Sequence, residues 1–243
     1  MIIKILIPVY NDWQSVYKLL ENINSEVSNL GHEFSVIIVN DASTESKPEL
    51  TTNLDNLNSI KIINMRENRG HARCNATGLK YIFENEEFDY VIPMDGDGED
   101  RPEEIKQLVD NLNYHPDKPI VGERIKRSEG IFFKLCYFIH KLITYTFTGQ
   151  SIKFGNYSCL PKSIVERMIN EKATWSSFSG ALTKVSKDRA TIPSERGTRY
   201  FGPSKMSFKN LAIHSLAIIS VFKFNVLLRS IMFLIVYMFL IHQ

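Results

Sequence analysis

The chain has 243 residues, 44% hydrophobic and 23% charged, with a formal net charge of +2. That length suits one large α/β domain, or a domain of about 200 residues with an appendage. The even charge balance excludes a nucleic-acid footprint spread over the surface, and three distant cysteines, Cys74, Cys136 and Cys159, exclude a disulfide framework or a zinc cluster.

Ile2–Val9 is an apolar run of the kind that forms a buried parallel strand. It has neither the basic n-region nor the cleavage site of a signal peptide, which predicts a cytosolic catalytic domain. Asp12 is placed to cap a helix whose apolar face is Trp13, Val16, Leu19, Leu20, Ile23, Val27 and Leu30, with Gly31 as its stop. Strands are predicted at Phe34–Val39, Ile60–Met65 and Tyr90–Met94, and helices at His71–Glu84 and from Pro102 to about Leu112. This alternation predicts a parallel sheet wrapped by helices, with ligands beyond the carboxyl ends of the strands. Polar clusters fall at those ends: Tyr10-Asn11-Asp12, Asn40-Asp41, Arg66-Glu67-Asn68 and Asp95-Gly96-Asp97. No G-x-G-x-x-G follows the first strand and no P-loop occurs, which disfavours a dinucleotide fold or a P-loop site.

Asp95 and Asp97 are two residues apart, so in extended chain both point the same way. Like charges held together are costly unless a cation joins them, and paired carboxylates suit Mg²⁺ or Mn²⁺ with positions left for phosphate. A solvated acidic turn is the bland alternative. A basic cluster, Arg124, Lys126 and Arg127, precedes the apolar segment Ile131–Phe147, which carries Lys134 near its start. Cations beside a greasy helix match an anionic head on an apolar chain. Val226–Ile241 carries a single charge, Arg229, and Phe208–Phe222 has apolar residues near helical spacing. The expected layout is a catalytic domain over 1–207, an interfacial amphipathic helix over 208–224 and a membrane-inserted segment over 225–243. The expected setting is the cell membrane, peripheral or single-pass, and a homo-oligomer is one way to reinforce so short an anchor.

Five pieces in order, I7-P-V-Y-N11, V36-I-I-V-N-D-A-S-T44, N68-R-G70 with A76-T-G78, M94-D-G-D-G-E-D-R-P-E103 and G202-P-S-K205, resemble family 2 glycosyltransferases over residues 1–210. The resemblance is to the polyprenyl-phosphate sugar transferase branch, similar to dolichyl-phosphate mannose synthase. It implies an inverting enzyme of the GT-A fold, Rossmann-like, with a mostly parallel sheet flanked by helices. The implied reaction moves a sugar from a nucleotide-sugar donor to a polyprenyl phosphate at the membrane; the alternatives are transfer to a cell-surface saccharide or lipid-linked glycan, and an inactive scaffold. By this resemblance Pro8, Tyr10, Asn40, Asp41 and Asn68 line the donor's nucleoside side. Asp95 faces the sugar and ribose, Asp97 and Glu99 hold the metal, and Arg199, Ser204 and Lys205 contact the pyrophosphate. Arg124, with Arg127 and Lys134, receives the acceptor phosphate. The chain departs from the branch at Asn40 and Ala42, where Asp and Gly are usual, and at Gly155–Leu160, which lacks an arginine.

Overall fold

The computed structural model describes residues 1–126, 131–202 and 208–242. They fall into two compact units, Met1–Arg127 with Phe154–Ser204, and Ser128–Lys153 with Lys205–Gln243.

The first unit is built on a seven-stranded sheet: β1 (Ile2–Val9), β2 (Glu33–Asn40), β3 (Ser59–Asn64), β4 (Tyr90–Pro93), β5 (Ile120–Lys126), β6 (Phe154–Pro161) and β7 (Ala190–Glu195). The strand order is β3-β2-β1-β4-β6-β5-β7. The β3-β2-β1-β4 half is parallel throughout, with the helices Trp13–Val27 and His71–Asn85 in two of its connections and a helix-free connection between β2 and β3. β6 runs antiparallel to both β4 and β5, while β7 is parallel to β5. The sheet is therefore mixed and mostly parallel.

Side chains alternate across each strand, so one apolar run serves two cores. Ile3, Ile5, Ile7 and Val9 of β1 join α1 (Trp13–Val27) and α3 (Ile105–Asn111) on one face. Leu6 joins α2 (His71–Asn85), α5 (Lys162–Asn170) and α6 (Phe178–Val185) on the other. Each fully buried Leu or Ile contributes roughly 1.5–3 kcal/mol relative to exposure. Contact between α2 and β1 needs Gly78, because a Cβ there would lie 2.2 Å from Leu6 Cδ1. Lys4 also sits in β1 and is buried; its Nζ lies 3.4 Å from Glu86 Oε2, just past the end of α2.

Two local expectations are corrected. Asp12 occupies the position before α1 but makes no side-chain cap; its carboxylate accepts from Ser15 Oγ at 2.6 Å and from Arg199. The helix ends at Val27 rather than at Gly31, which adopts φ +65° in the following turn.

The second unit holds α4 (Ile131–Thr148), α7 (Phe208–Val221) and α8 (Lys223–Ile241). α8 is the helix among the described residues that is long and apolar enough to cross a membrane. Its internal charge is not left bare. Arg229 Nη1 donates to the Thr146 carbonyl at 3.0 Å and Asn225 Nδ2 to the Thr148 carbonyl at 3.1 Å. A cation at the carbonyl end of α4 answers both the orphan carbonyls and the helix dipole. Phe147 and Phe233 meet edge to face with centroids 6.1 Å apart. Ile218 of α7 is buried, as is Phe222 beyond its end, whereas Leu216 is 65% exposed.

Candidate active site

The carboxyl ends of β1, β2 and β4 lie side by side and bring together the polar clusters that the sequence scatters over 90 residues. At the β2 end, Asn40 Oδ1 accepts the Ser43 N–H at 3.0 Å and its Nδ2 donates to Asn64 Oδ1 at 2.9 Å. Ala42 sits in the left-handed region at φ +56°, where the resemblance leads one to expect glycine. Asp41 is buried, and its two oxygens accept the N–H groups of Arg69 and Gly70 at 2.7 and 2.8 Å. Asp41 thus ties the 66–70 loop, which carries the exposed Asn68, to the strand end. Pro8 is buried in β1 and paired with Val39, and Tyr10 stands exposed at the rim.

The acidic loop after β4 forms the centre. Asp95 Oδ1 lies 2.9 Å from His71 Nε2 and accepts from Asn156 Nδ2 at 3.1 Å. The Asp95 N–H donates to Asp100 Oδ2 at 2.8 Å, and the Glu99 N–H to Asp97 Oδ1 at 3.0 Å. Arg124 Nη2 stands 3.6 Å from Asp100 Oδ1, beside Gly155. Burial raises Asp95, but the charge and hydrogen bond of His71 outweigh it and hold that carboxyl well below its usual range. Burial and then the charge of Asp95 push Asp97 and Asp100 up. His71 is drawn upward: desolvation opposes its charge, and Asp95 prevails.

The segment after β7 lies on this loop. The Gly197 N–H donates to the Glu99 carbonyl at 2.8 Å and the Tyr200 N–H to the Asp97 carbonyl at 3.0 Å. Arg196 pairs with Glu99, and Arg199 pairs with Asp97 through Nη1 and with Asp12 through Nη2. The Tyr200 ring covers Gly98, where φ is +90° and a Cβ would come within 2.6 Å of that ring. Glycine meets both demands there, the dihedral and the close approach.

The sequence-expected residues Pro8, Tyr10, Asn40, Asp41, Asn68, Asp95, Asp97, Glu99, Arg124 and Arg199 all belong to this one unit. Arg127, Ser204 and Lys205 lie outside the described residues, as does the side chain of Lys134. Four residues escaped the sequence reading of the site's centre: His71, Asn156, and the structural parts played by Asp12 and Asp100. His71 directly follows the N68-R-G70 piece, and Asn156 lies in the Gly155–Leu160 stretch that departs from the branch; those positions were the available signals.

Among the described residues no three His, Cys, Asp or Glu side chains form a ready-made metal cage. Mg²⁺-type sites use one or two carboxylates and complete their shell with water and substrate phosphate, so Asp97 and Glu99 suffice in kind. The crowded, buried acids raise one another's protonation, which is the condition a hard cation relieves.

A family model described as glycosyl transferase family 2 matches residues 4–167. The undecaprenyl-phosphate 4-deoxy-4-formamido-L-arabinose transferase of Salmonella paratyphi B is 29% identical over 217 residues, covering 86% of this chain. The chain spans 64% of the length of that relative. Glucosyl-3-phosphoglycerate synthase from Mycobacterium tuberculosis, solved with Mn²⁺, UDP and phosphoglyceric acid, superposes with a TM-score of 0.66 at 12% identity, over 92% of this chain and 78% of that one. A mannosyltransferase from Pyrobaculum calidifontis, solved with GDP-Man and Mn²⁺, gives 0.55 at 14% identity, over 94% and 72%. The fold is thus the one expected, a GT-A sheet with flanking helices, and with the family match over most of its first unit the chain belongs to glycosyl transferase family 2.

Proposed function

We propose that this chain is a membrane-attached, inverting, metal-dependent transferase that moves a sugar from a nucleotide donor to a polyprenyl phosphate. The observation that carries the reading is the acidic loop after β4, where Asp95, Asp97 and Glu99 stand among Arg124, Arg196 and Arg199. Acids alone suit a cation; acids interleaved with arginines suit a cation together with a diphosphate. The relative from Salmonella, named for transfer to undecaprenyl phosphate, supports the acceptor class.

In this reading Asp97 and Glu99 would hold Mg²⁺ or Mn²⁺, which when bound supplies Lewis-acid neutralisation of the diphosphate leaving group. Asp95 accepts a sugar or ribose hydroxyl. Arg199, with Ser204 and Lys205, contacts the diphosphate, and Pro8, Tyr10, Asn40, Asp41 and Asn68 bound the nucleoside side. Arg124 places the acceptor phosphate. An oxygen of that phosphate forms the new bond to the anomeric carbon as the bond to the diphosphate oxygen breaks. The nucleophile is already an anion, so no side chain has to remove a proton. The exposed apolar residues of α4 and α8, among them Phe138, Leu142, Phe224 and Leu228, support docking at the bilayer where such an acceptor resides.

The test incubates membranes containing the chain with labelled sugar nucleotides. Acid-labile label should enter the lipid phase, and EDTA or Asp97→Asn should abolish it. Label appearing in a saccharide or lipid-linked glycan instead moves the acceptor to the second class, and no label in any fraction leaves a scaffold.

A further inference from the structure

We propose that His71 and Asn156 are positioning residues that set the Asp95 carboxylate for the sugar end of the donor, an inference that rests on the transferase reading above. His71 opens α2 and Asn156 lies in β6, so the two reach Asp95 from separate elements. Both contacts fall on the same oxygen: His71 Nε2 is 2.9 Å and Asn156 Nδ2 is 3.1 Å from Asp95 Oδ1. The two donors also touch each other, with Asn156 Nδ2 3.2 Å from His71 Nε2, and Asn75 Nδ2 stands 3.3 Å from the same nitrogen. On the main-chain side the Asp95 N–H is fixed by Asp100 Oδ2 at 2.8 Å.

Asp95 is therefore held by its backbone and by one carboxylate oxygen, while among the described residues nothing bonds Oδ2. A carboxylate with one oxygen saturated by two donors has lost rotation about its side-chain bonds. It offers the other oxygen to an incoming hydroxyl in one orientation. Hydroxyls belong to the sugar and ribose; the diphosphate, being anionic, is repelled by the same group. His71 is not a core residue, since its side chain is 44% exposed at the rim. The arrangement parallels the way outer hydrogen bonds orient groups that touch a ligand, whose loss costs roughly ten- to a hundredfold.

The experiment uses the full chain in membranes with Mn²⁺, undecaprenyl phosphate and a panel of labelled nucleotide hexoses and pentoses, comparing His71→Ala, His71→Gln, Asp95→Asn and the double variant His71→Ala/Asp95→Asn. His71→Ala should lower kcat by roughly ten- to a hundredfold while inhibition by the free nucleoside diphosphate stays unchanged. His71→Gln, which restores an N–H donor, should recover part of the loss. The double variant should be no slower than Asp95→Asn alone, because His71 acts through Asp95. Full activity in His71→Ala, absence of rescue by Gln, or losses that multiply in the double variant would overturn the inference and leave the transferase reading standing. An unimpaired Asp95→Asn, or no transfer from any nucleotide sugar by the unmodified chain, would remove the site reading and this inference with it.

Discussion

Arg199 bridges two carboxylates that follow different strands, Asp12 after β1 at 2.8 Å and Asp97 after β4. A guanidinium thus occupies the carboxylate proposed to hold the metal. Its fork matches a diphosphate as well as a carboxylate, so the same side chain has two competing partners.

Arg199→Ala should therefore act in opposite directions on two measurements. Removing a competing cation should tighten binding of Mn²⁺ alone, by roughly tenfold or about 1.4 kcal/mol, read by paramagnetic titration. Sugar transfer should fall, because the diphosphate loses a charged contact. Weaker binding of Mn²⁺ alone in the variant contradicts this competition.

Ala42 adopts φ +56° at the end of β2. An L-residue in that region costs about 1–2 kcal/mol, part of which glycine gives back through its freer unfolded chain. Ala42→Gly should raise stability by up to about 1 kcal/mol in chemical denaturation. A lower midpoint would show that the Ala42 methyl is held by contacts that outweigh the dihedral.

Glu86 answers two lysines, Lys61 Nζ at 2.6 Å and the buried Lys4 Nζ at 3.4 Å. Glu86→Ala leaves Lys4 without its partner and should cost about 3 kcal/mol; adding Lys4→Met should restore most of it. The pH dependence has a definite sign. Burial would raise the Glu86 carboxyl, but Lys61 and Lys4 lower it below its ordinary 4.5. Its contribution is complete above that unfolded value and is lost as pH falls through the lower folded value. Unfolding midpoints of the unmodified chain and Glu86→Gln should therefore draw together as pH falls below the ordinary carboxyl value and converge once it has passed the lower folded one. A gap that persists at lower pH contradicts the pairing.

Helix α4 groups with α7 and α8, and it exposes Phe138, Ile139, Leu142, Ile143 and Tyr145. Removal of residues 208–243 should leave a fraction of the protein on membranes. Adding Phe138→Ser and Leu142→Ser should release it to the supernatant. Complete release by truncation alone would assign the anchor to α7 and α8.

The sequence made the sheet and its rim legible because the signals there are local. Apolar runs ending in Asn, Asp and Gly mark β1, β2 and β4, and their parallel order puts those ends together. The acidic loop was legible for the same reason. What pairs with each acid was not, because the partners come from far away in the chain: Asn156 is 61 residues from Asp95, and Arg199 is 187 from Asp12. No local spacing encodes such contacts. Asp12 shows the cost of local reasoning alone: its type and position suit a helix cap, but a distant arginine and Ser15 take its carboxylate. Lys4 is a second case, a charge inside an apolar strand whose place is explained only by Glu86.

The central claim is that the acceptor is an anion on a prenyl chain. The most direct measurement compares transfer from one labelled nucleotide sugar to a short-chain prenyl phosphate and to the prenol of equal length, using the purified full chain with Mn²⁺. Transfer to the phosphate alone is the expected result, since the alcohol needs a base that this reading does not call on. Comparable transfer to the prenol, or to a neutral saccharide in place of both, would contradict the account.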